Sequence, residues 1–459
     1  MSGLFGMLGA TARALDAQRF GLDVTGQNLA NINTPGYTRR VIDFGAIPPS
    51  DPRLNAGHGV DVLGVRAQRD LLFERRLLQE LPLEQREAAI ADALAIAEAG
   101  LGQPGKTLDN KLGAFFDAWS ALADAPTSAT ARSQVVSQGQ TLASEFRNIA
   151  GRLDASSRDL DTRVRATVDE VNALASQIAA LNKKIASSRA DATLHLQDER
   201  AEALNRLSGL VAVQTVELDD STIQVSFGFG RPLVVGDQVR PMGLTNQPVT
   251  GVAQITSDGV DVTKEIAGGR LAGLIHTRDT LIPDYRTRLD TLAYQVVQQV
   301  NTLHDAGATL NGADAPLFFQ PLASSANAAS LMTVNAALVA DHSQVAAAAA
   351  GGAAGDNRQA RALANLRDAK VMSGGTASFG DYWAQLVYRV GQDGRAAGAE
   401  QQSRAEVVRQ VENLRDSVSG VSVDEEAAMM MRFQRAYEAN ARFFATIDET
   451  LETLLNLGR

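Results

Sequence analysis

Leu8, Leu15, Leu22 and Leu29 recur at every seventh position near the start of the chain, with Leu4, Thr11, Gln18, Thr25 and Ile32 along a neighbouring seam. This spacing predicts a helix with one apolar edge, and such an edge requires a partner. At the other end Met430, Phe433, Tyr437, Asn440, Phe444, Ile447, Leu451 and Leu454 step alternately by three and four, a continuous heptad seam. Ahead of it, "SVDE" offers Ser422 as an N-cap and Glu425 as its reciprocal partner, with Asp424 and Glu426 in the first turn, so the last helix begins near 423. At 1.5 Å per residue that helix runs about 50 Å. Positions outside the seam are small or polar, Ala428, Ala436, Ala439 and Ala445 among them, so it can face other helices on more than one side. Asn440 within the seam is either a buried register-setting group or a solvated position where the seam frays.

Between the ends the helical period dominates to about 205. Leu112, Phe115, Phe116, Trp119 and Leu122 share one face of a helix that Pro126 stops. From about 128 to 188, Val164, Val168, Val171, Ala175, Ile178, Asn182 and Ile185 keep the rhythm of a rod-like helix. The period then changes to two. "LVAVQTVEL", "TIQVSFGFG" and "RPLVVG" alternate and are separated by turn residues, which predicts a small β-rich insert over 209–262. Flanking long helices make this insert an outer decoration that a short linker could replace. Helical pattern resumes with Leu281, Tyr285, Leu289, Leu292, Val296, Val300 and Leu303, relaxes around "AAAAAGGAAGDN", and returns near 378 with Val407, Val411, Leu414 and Val418 later in the run. The fold class is mainly α with a small β-rich insert, built on long helical rods.

Composition agrees: of 459 residues 45% are apolar but only 5% aromatic, which suits close helix packing. The net charge is −10, and no basic cluster exceeds Arg39-Arg40 or Arg75-Arg76, so nucleic acid is excluded as a partner. No apolar run reaches the roughly 20 residues a bilayer span needs, and "MSGLFGMLGATARALD" lacks the parts of a cleaved secretory signal. There is no cysteine, hence no disulfide framework or thiolate nucleophile. His58, His195, His276, His304 and His342 are scattered, and neither an H-E-x-x-H nor a G-x-S-x-G motif occurs. The Ala/Gly-rich stretch lacks the strand, Lys and Ser/Thr of a phosphate cradle. No catalytic, cofactor or metal residues are assigned, and an enzyme is unsupported.

"NLANINTPGYTRR", residues 28–40, ends the first helix. Thr34-Pro35-Gly36-Tyr37 has Pro second and Gly third, as a type II turn requires, which makes Pro35, Gly36 and Tyr37 a hinge turn that redirects the chain. Asn28, Asn31 and Asn33 can cap the ending helix or bond a neighbouring subunit.

Beyond these local features, "FGLDVTGQNLANINTPGYTRR" resembles the N-terminal signature of the bacterial flagellar rod, hook and hook-associated proteins, and "SGVSVDEEAAMMMRFQRAYEANARFFATIDETLETLLNL" resembles their C-terminal one. "YTRR", "GHGVDVLGVRAQRDLLF", "LQDERAEALNRLSGLVAVQTVEL" and "GGRLAGLIHTRDTLIPDYRTRLDTLAYQVVQQVNTLHDAG" resemble the hook-associated members at the hook-filament junction. The weakest part of the likeness is 306–350. A hook or distal-rod protein is the near alternative, and a surface binding protein using the β insert the distant one. The resemblance implies an extracellular axial protein, exported without a cleaved signal through the type III apparatus after an export chaperone has held its C-terminal region. It implies self-assembly into a ring, with the hook protein and a second, filament-side hook-associated protein as partners, and no membrane insertion. It further implies that the terminal helices pair as a coiled coil and pack on neighbours. The assembly residues are then Leu8, Leu15, Leu22, Asn28, Leu29, Asn31 and Ile32 with the C-terminal seam, both seams lying open before assembly. Three units follow: 1–36 with 422–459 for assembly, 37–208 with 263–421 as the long-helix domain, and the insert.

Overall fold

The computed structural model describes residues 2–48, 59–101, 108–188, 193–248 and 251–457. His58 lies outside the described residues, as does the start of the stretch containing it. The chain opens with α1 (Ser2–Ala30), a hairpin of β1 (Arg40–Ala46) and β2 (Val60–Ala67), then α2 (Leu71–Leu101), α3 (Leu108–Asp124), α4 (Ala129–Ser187) and α5 (Leu194–Leu210). Seven strands follow: β3 (Val213–Glu217), β4 (Ile223–Phe227), β5 (Arg231–Val235), β6 (Gln238–Val239), β7 (Gly243–Asn246), β8 (Ala253–Ser257) and β9 (Val260–Asp261). After α6 (Gly269–His276) and α7 (Ile282–Asp305), an irregular stretch holds β10 (Gly307–Ala308), α8 (Ala328–Leu331), α9 (Ala336–Ala340), β11 (Ala348–Ala349) and α10 (Arg358–Asn365). Two long helices, α11 (Phe379–Ser419) and α12 (Val423–Leu457), close the chain.

The long-helix region forms as its periodicity requires. Ser128 caps α4, its hydroxyl accepting from the Ala131 N–H at 3.2 Å. Val164, Val168, Val171, Ala175, Ile178, Asn182 and Ile185 are all buried along its inner face. An aromatic cluster closes the distal core: Phe115, Trp119, Phe318 and Phe319 meet at ring separations of 4.9–6.2 Å. A capping box that the pattern did not reveal starts α11, with Ser378 and Asp381 each accepting from the other's backbone N–H. From there α11 runs antiparallel along α2, as the pairs Glu98 with Gly391 and Glu84 with Gln401 show.

The β insert is not a detachable decoration. Its strands form a four-stranded and a three-stranded antiparallel sheet, and Val225, Phe227, Leu233, Val234 and Ile255 belong to the same buried cluster as the helices. Asn182, fully buried in α4, donates to the carbonyls of Ile223 at 2.8 Å and Gly236 at 2.7 Å and accepts from the Ile223 N–H. Alternating strands bury one face, and here the covering surface is α4 itself. Replacing 212–262 with a Gly/Ser linker would expose that surface and strip Asn182 of its Ile223 and Gly236 partners, leaving its Oδ1 only the Arg200 guanidinium of α5 and its buried Nδ2 unpaired. The expected result is a chain that loses cooperative unfolding by circular dichroism; an unchanged transition would return the insert to the periphery.

The irregular stretch is pinned by His304, which has no exposed surface. Its Nδ1 donates to the Pro316 carbonyl at 2.6 Å, and its Nε2 accepts from the Ala346 N–H at 3.0 Å. That pairing requires the neutral ring, and burial, with the Arg132 charge adding to it, pushes the imidazole down to about 4. The folded chain thus binds fewer protons than the unfolded one once pH falls below about 6.5. Stability that is fully present above that value declines toward pH 4, by about 3 kcal/mol in all from this group. Urea unfolding across this range checks it: a His304→Gln chain should show a flatter profile than the parent.

Candidate assembly interface

The two ends of the chain meet within one subunit. Asn28 of α1 faces Glu426 of α12, and Gly21 lies under the ring of Phe433, so α1 descends by seven residues as α12 ascends by seven: the pair is antiparallel. The close approach depends on small residues. A Cβ added at Gly21 would come within 2.8 Å of the Phe433 ring, and Ala17, Gly21, Val24 and Thr25 are buried beside it. Phe433, Ile447 and Leu451 are the buried members of the C-terminal seam, Met430, Asn440 and Phe444 are half-buried, and Tyr437 and Leu454 are exposed. Leu8, Leu15, Leu22 and Leu29 are half-buried rather than central. The expectation of seams left open before assembly is therefore corrected: α12 already covers the small-residue face of α1, and the leucine stripe flanks that contact. Ile32 lies past the helix end, exposed.

The "NLANINTPGYTRR" segment holds this pair to the rest of the chain. The Tyr37 N–H donates to the Thr34 carbonyl at 3.2 Å, and Gly36 adopts φ +76°, which gives the turn its glycine requirement. Pro35 and Gly36 are exposed at its tip. Asn31 closes the helix end, its Nδ2 donating to the Gln27 carbonyl at 2.9 Å. Asn28, 1% exposed, is bonded on every side: Nδ2 donates to the Arg40 carbonyl and to Glu426 Oε2, both at 3.0 Å, while Oδ1 accepts from the Arg40 N–H and the Tyr37 hydroxyl, both at 2.9 Å. Burial raises the Tyr37 phenol above its ordinary value despite the nearby Arg40 charge, so the hydroxyl stays a donor.

Two arginines extend the node in opposite directions. Arg39 reaches α12, pairing with Glu426 and Glu425 at 2.7 Å each, and its backbone N–H donates to the Ser419 carbonyl at 3.0 Å. Glu425, expected to serve a capping box, is thus drawn to Arg39. Arg40 stacks over the Tyr37 ring and pairs with the buried Asp198 of α5, which also takes Arg69 at 2.5 Å and the Thr38 hydroxyl at 2.8 Å. The β1–β2 hairpin, which the periodicity did not separate from the long-helix domain, packs on α1, and Phe44 meets Phe433 edge-on at 6.3 Å. Asp198 and Phe44 hold this node without being revealed by the pattern, and Glu426, readable only as a first-turn carboxylate of α12, is its buried acceptor. Within "LQDER", a carboxylate inside a helix facing two distant arginines carries no local signal.

Apolar side chains remain on the outer faces of the pair: Phe5 is 59% exposed, Met431 52% and Phe443 51%. Among the described residues no group of His, Asp or Glu is arranged to hold a metal ion, and no helix is long and apolar enough to cross a membrane.

Three family descriptions match the chain: the flagellar hook-associated protein FlgK helical domain over 94–319, the flagellar basal body rod FlgEFG protein C-terminal region over 415–457, and the flagella basal body rod protein over 9–38. The flagellar hook-associated protein 1 of Bacillus subtilis (strain 168) is 26% identical, covering 99% of both chains. That of Escherichia coli (strain K12) is 22% identical over 96% of this chain and 98% of its own. The structure of the flagellar hook junction protein FlgK from Burkholderia pseudomallei shares the fold, with a TM-score of 0.68 at 16% identity, covering 75% of this chain and all of that one. With its helical domain and both terminal regions matched, and 96–99% of its length aligned to these relatives, the chain is similar from end to end to the flagellar hook-associated proteins.

Proposed function

We propose that this chain is a structural subunit of the bacterial flagellum that forms the junction between hook and filament, polymerising through its terminal helices. The observation that carries the mechanism is the node around Asn28. It locks α1 to α12 and both to α5, so a load applied to the helix pair is passed to the long-helix domain through buried hydrogen bonds and ion pairs. The exposed Phe5, Met431 and Phe443 on the pair, with the half-buried leucine stripe, supply the apolar surface that packing against other subunits would cover. The division into 1–36 with 422–459 for assembly, 37–208 with 263–421 as the rod, and 209–262 as the insert serves this role, the β1–β2 hairpin travelling with the assembly part. The match of 94–319 to the FlgK helical domain favours the junction over a hook or distal-rod position.

On this reading the subunit carries out no catalysis. It leaves the cell unfolded through the type III apparatus, with a chaperone on its C-terminal region beforehand, and takes its place as a ring between the hook protein and a filament-side hook-associated protein. A strain lacking the chain is expected to build hooks without filaments and to release filament subunits into the medium, as seen by electron microscopy and gel analysis of the supernatant. Filaments attached in its absence would remove the reading. Leu22→Asp, on the half-buried stripe, should give the same bare hooks while its purified monomer unfolds within about 1 kcal/mol of the parent.

A further inference from the structure

We propose that the groove between α1 and α5 seats the outer face of α12 from a second copy of this chain, so that subunits join by a head-to-tail contact. The inference rests on the junction reading above and names the surfaces that would make the ring.

The groove encloses about 730 Å³ and is floored by Phe20, Val65 and Leu194, with Asp23, Glu199 and Glu202 along it and the Thr34-Pro35 turn at one end. None of these three carboxylates enters an ion pair among the described residues. This sets them apart from Asp198 beside them in the groove, which is fully engaged. Arg206 and His195 also line the groove, and Arg206 likewise enters no ion pair among the described residues, so three unpaired carboxylates stand against one unpaired arginine and the excess charge is negative.

The complementary surface lies on α12. Arg432, Arg435, Ala439, Phe443, Thr446 and Thr450 follow one another by steps of three and four and are all exposed. They form a second stripe, turned away from the seam that contacts α1. Neither arginine has an ion-pair partner within the chain among the described residues. The small Ala439 and the short threonines allow a close approach, and Phe443 supplies the aromatic anchor typical of interface centres, with Arg enriched beside it. The lengths agree: eleven residues from Arg432 to Phe443 rise about 16 Å, and twelve from Leu194 to Arg206 along α5 about 18 Å. The subunit's own α12 cannot fill the groove, because it occupies the Gly21 face of α1 while Phe20 and Asp23 point elsewhere on that helix. A groove on one face and a stripe on another make a heterologous contact, the type that builds rings or open helical arrays.

The chain has no cysteine, so a pair of introduced thiols reports this contact alone. Flagella carrying a Glu202→Cys, Arg435→Cys chain, isolated and oxidised, are expected to yield a ladder of dimers and higher multimers on a non-reducing gel. Chains with a single substitution should give dimers only when the two are mixed. In cells, Glu199→Arg with Glu202→Arg should lose most attached filaments, as should Arg432→Glu with Arg435→Glu, and one chain carrying all four changes should regain them. The contact is overturned if junctions containing the double-cysteine chain give no ladder, if a single-cysteine chain dimerises alone, or if the fourfold variant is no better than either pair. Absence of the chain from flagella altogether would instead overturn the junction reading, and this inference with it.

Discussion

Asp198→Ala is expected to cost about 3–5 kcal/mol and to loosen the attachment of the terminal helices to the long-helix domain. The carboxylate is 7% exposed and is shared by Arg40 and Arg69, with the Thr38 hydroxyl donating to it at 2.8 Å. Its removal leaves two guanidiniums facing each other in a site with little water. Arg40 Nη1 and Arg69 Nε are already buried without a partner, so neither arginine has spare bonding to fall back on. An uncompensated buried charge costs more than the pair contributed, and the arginines can recover hydration only by moving outward. Such a movement would carry β1 with Arg40 and the segment before α2 with Arg69. Hydrogen exchange should therefore accelerate over 37–48 and 60–70, while α3 and the first half of α4, remote from the node, keep their protection. Asp198→Asn keeps the shape but not the charge and should recover only part of the loss. A variant within about 0.5 kcal/mol of the parent, with unaltered exchange, would mean that the node is solvated and transmits nothing.

What was legible in the sequence follows from how local each signal is. The rod α4 could be read over 128–188 and is observed at 129–187 because its buried positions are large aliphatics on an unbroken helical period. The strands of the insert could be read from alternation, but not their burial against α4, since the partner of a strand face leaves no mark in the strand. The leucine stripe of α1 dominates its hydropathy pattern because hydropathy weights large side chains. The tight face of that helix is instead Ala17, Gly21, Val24 and Thr25, residues whose value is that they let two backbones approach. The node was half legible. The Pro-Gly turn is written in three residues, whereas Arg40 with Asp198 and Arg39 with Glu426 are separated by 158 and 387 positions and become neighbours only through the fold.

Two phenylalanines ten residues apart separate folding of the subunit from its assembly. Phe433 is 9% exposed, seated on Gly21 and edge-on to Phe44. Deleting a buried aromatic side chain costs about 3–5 kcal/mol, and Phe433→Asp adds an unpaired carboxylate to a face built of Ala, Gly, Val and Thr. Arg39 is held by Glu425 and Glu426, about two turns earlier on α12, and is not free to rescue it. The helix pair should therefore come apart in the isolated monomer, with a loss of helical ellipticity and rapid exchange over 2–30 and 423–457. Phe443, by contrast, is 51% exposed, so Phe443→Asp removes no intrachain packing of consequence and should leave the monomer within about 0.5 kcal/mol of the parent. Its defect should fall on assembly, where a carboxylate would replace an aromatic anchor in a site already lined by Asp23, Glu199 and Glu202. Cells with Phe443→Asp are expected to export the chain yet carry bare hooks. If Phe433→Asp leaves the monomer unchanged, the two terminal helices do not pair in the lone subunit and meet only within the array. If Phe443→Asp unfolds the monomer, its exposed face is not free to receive a neighbour.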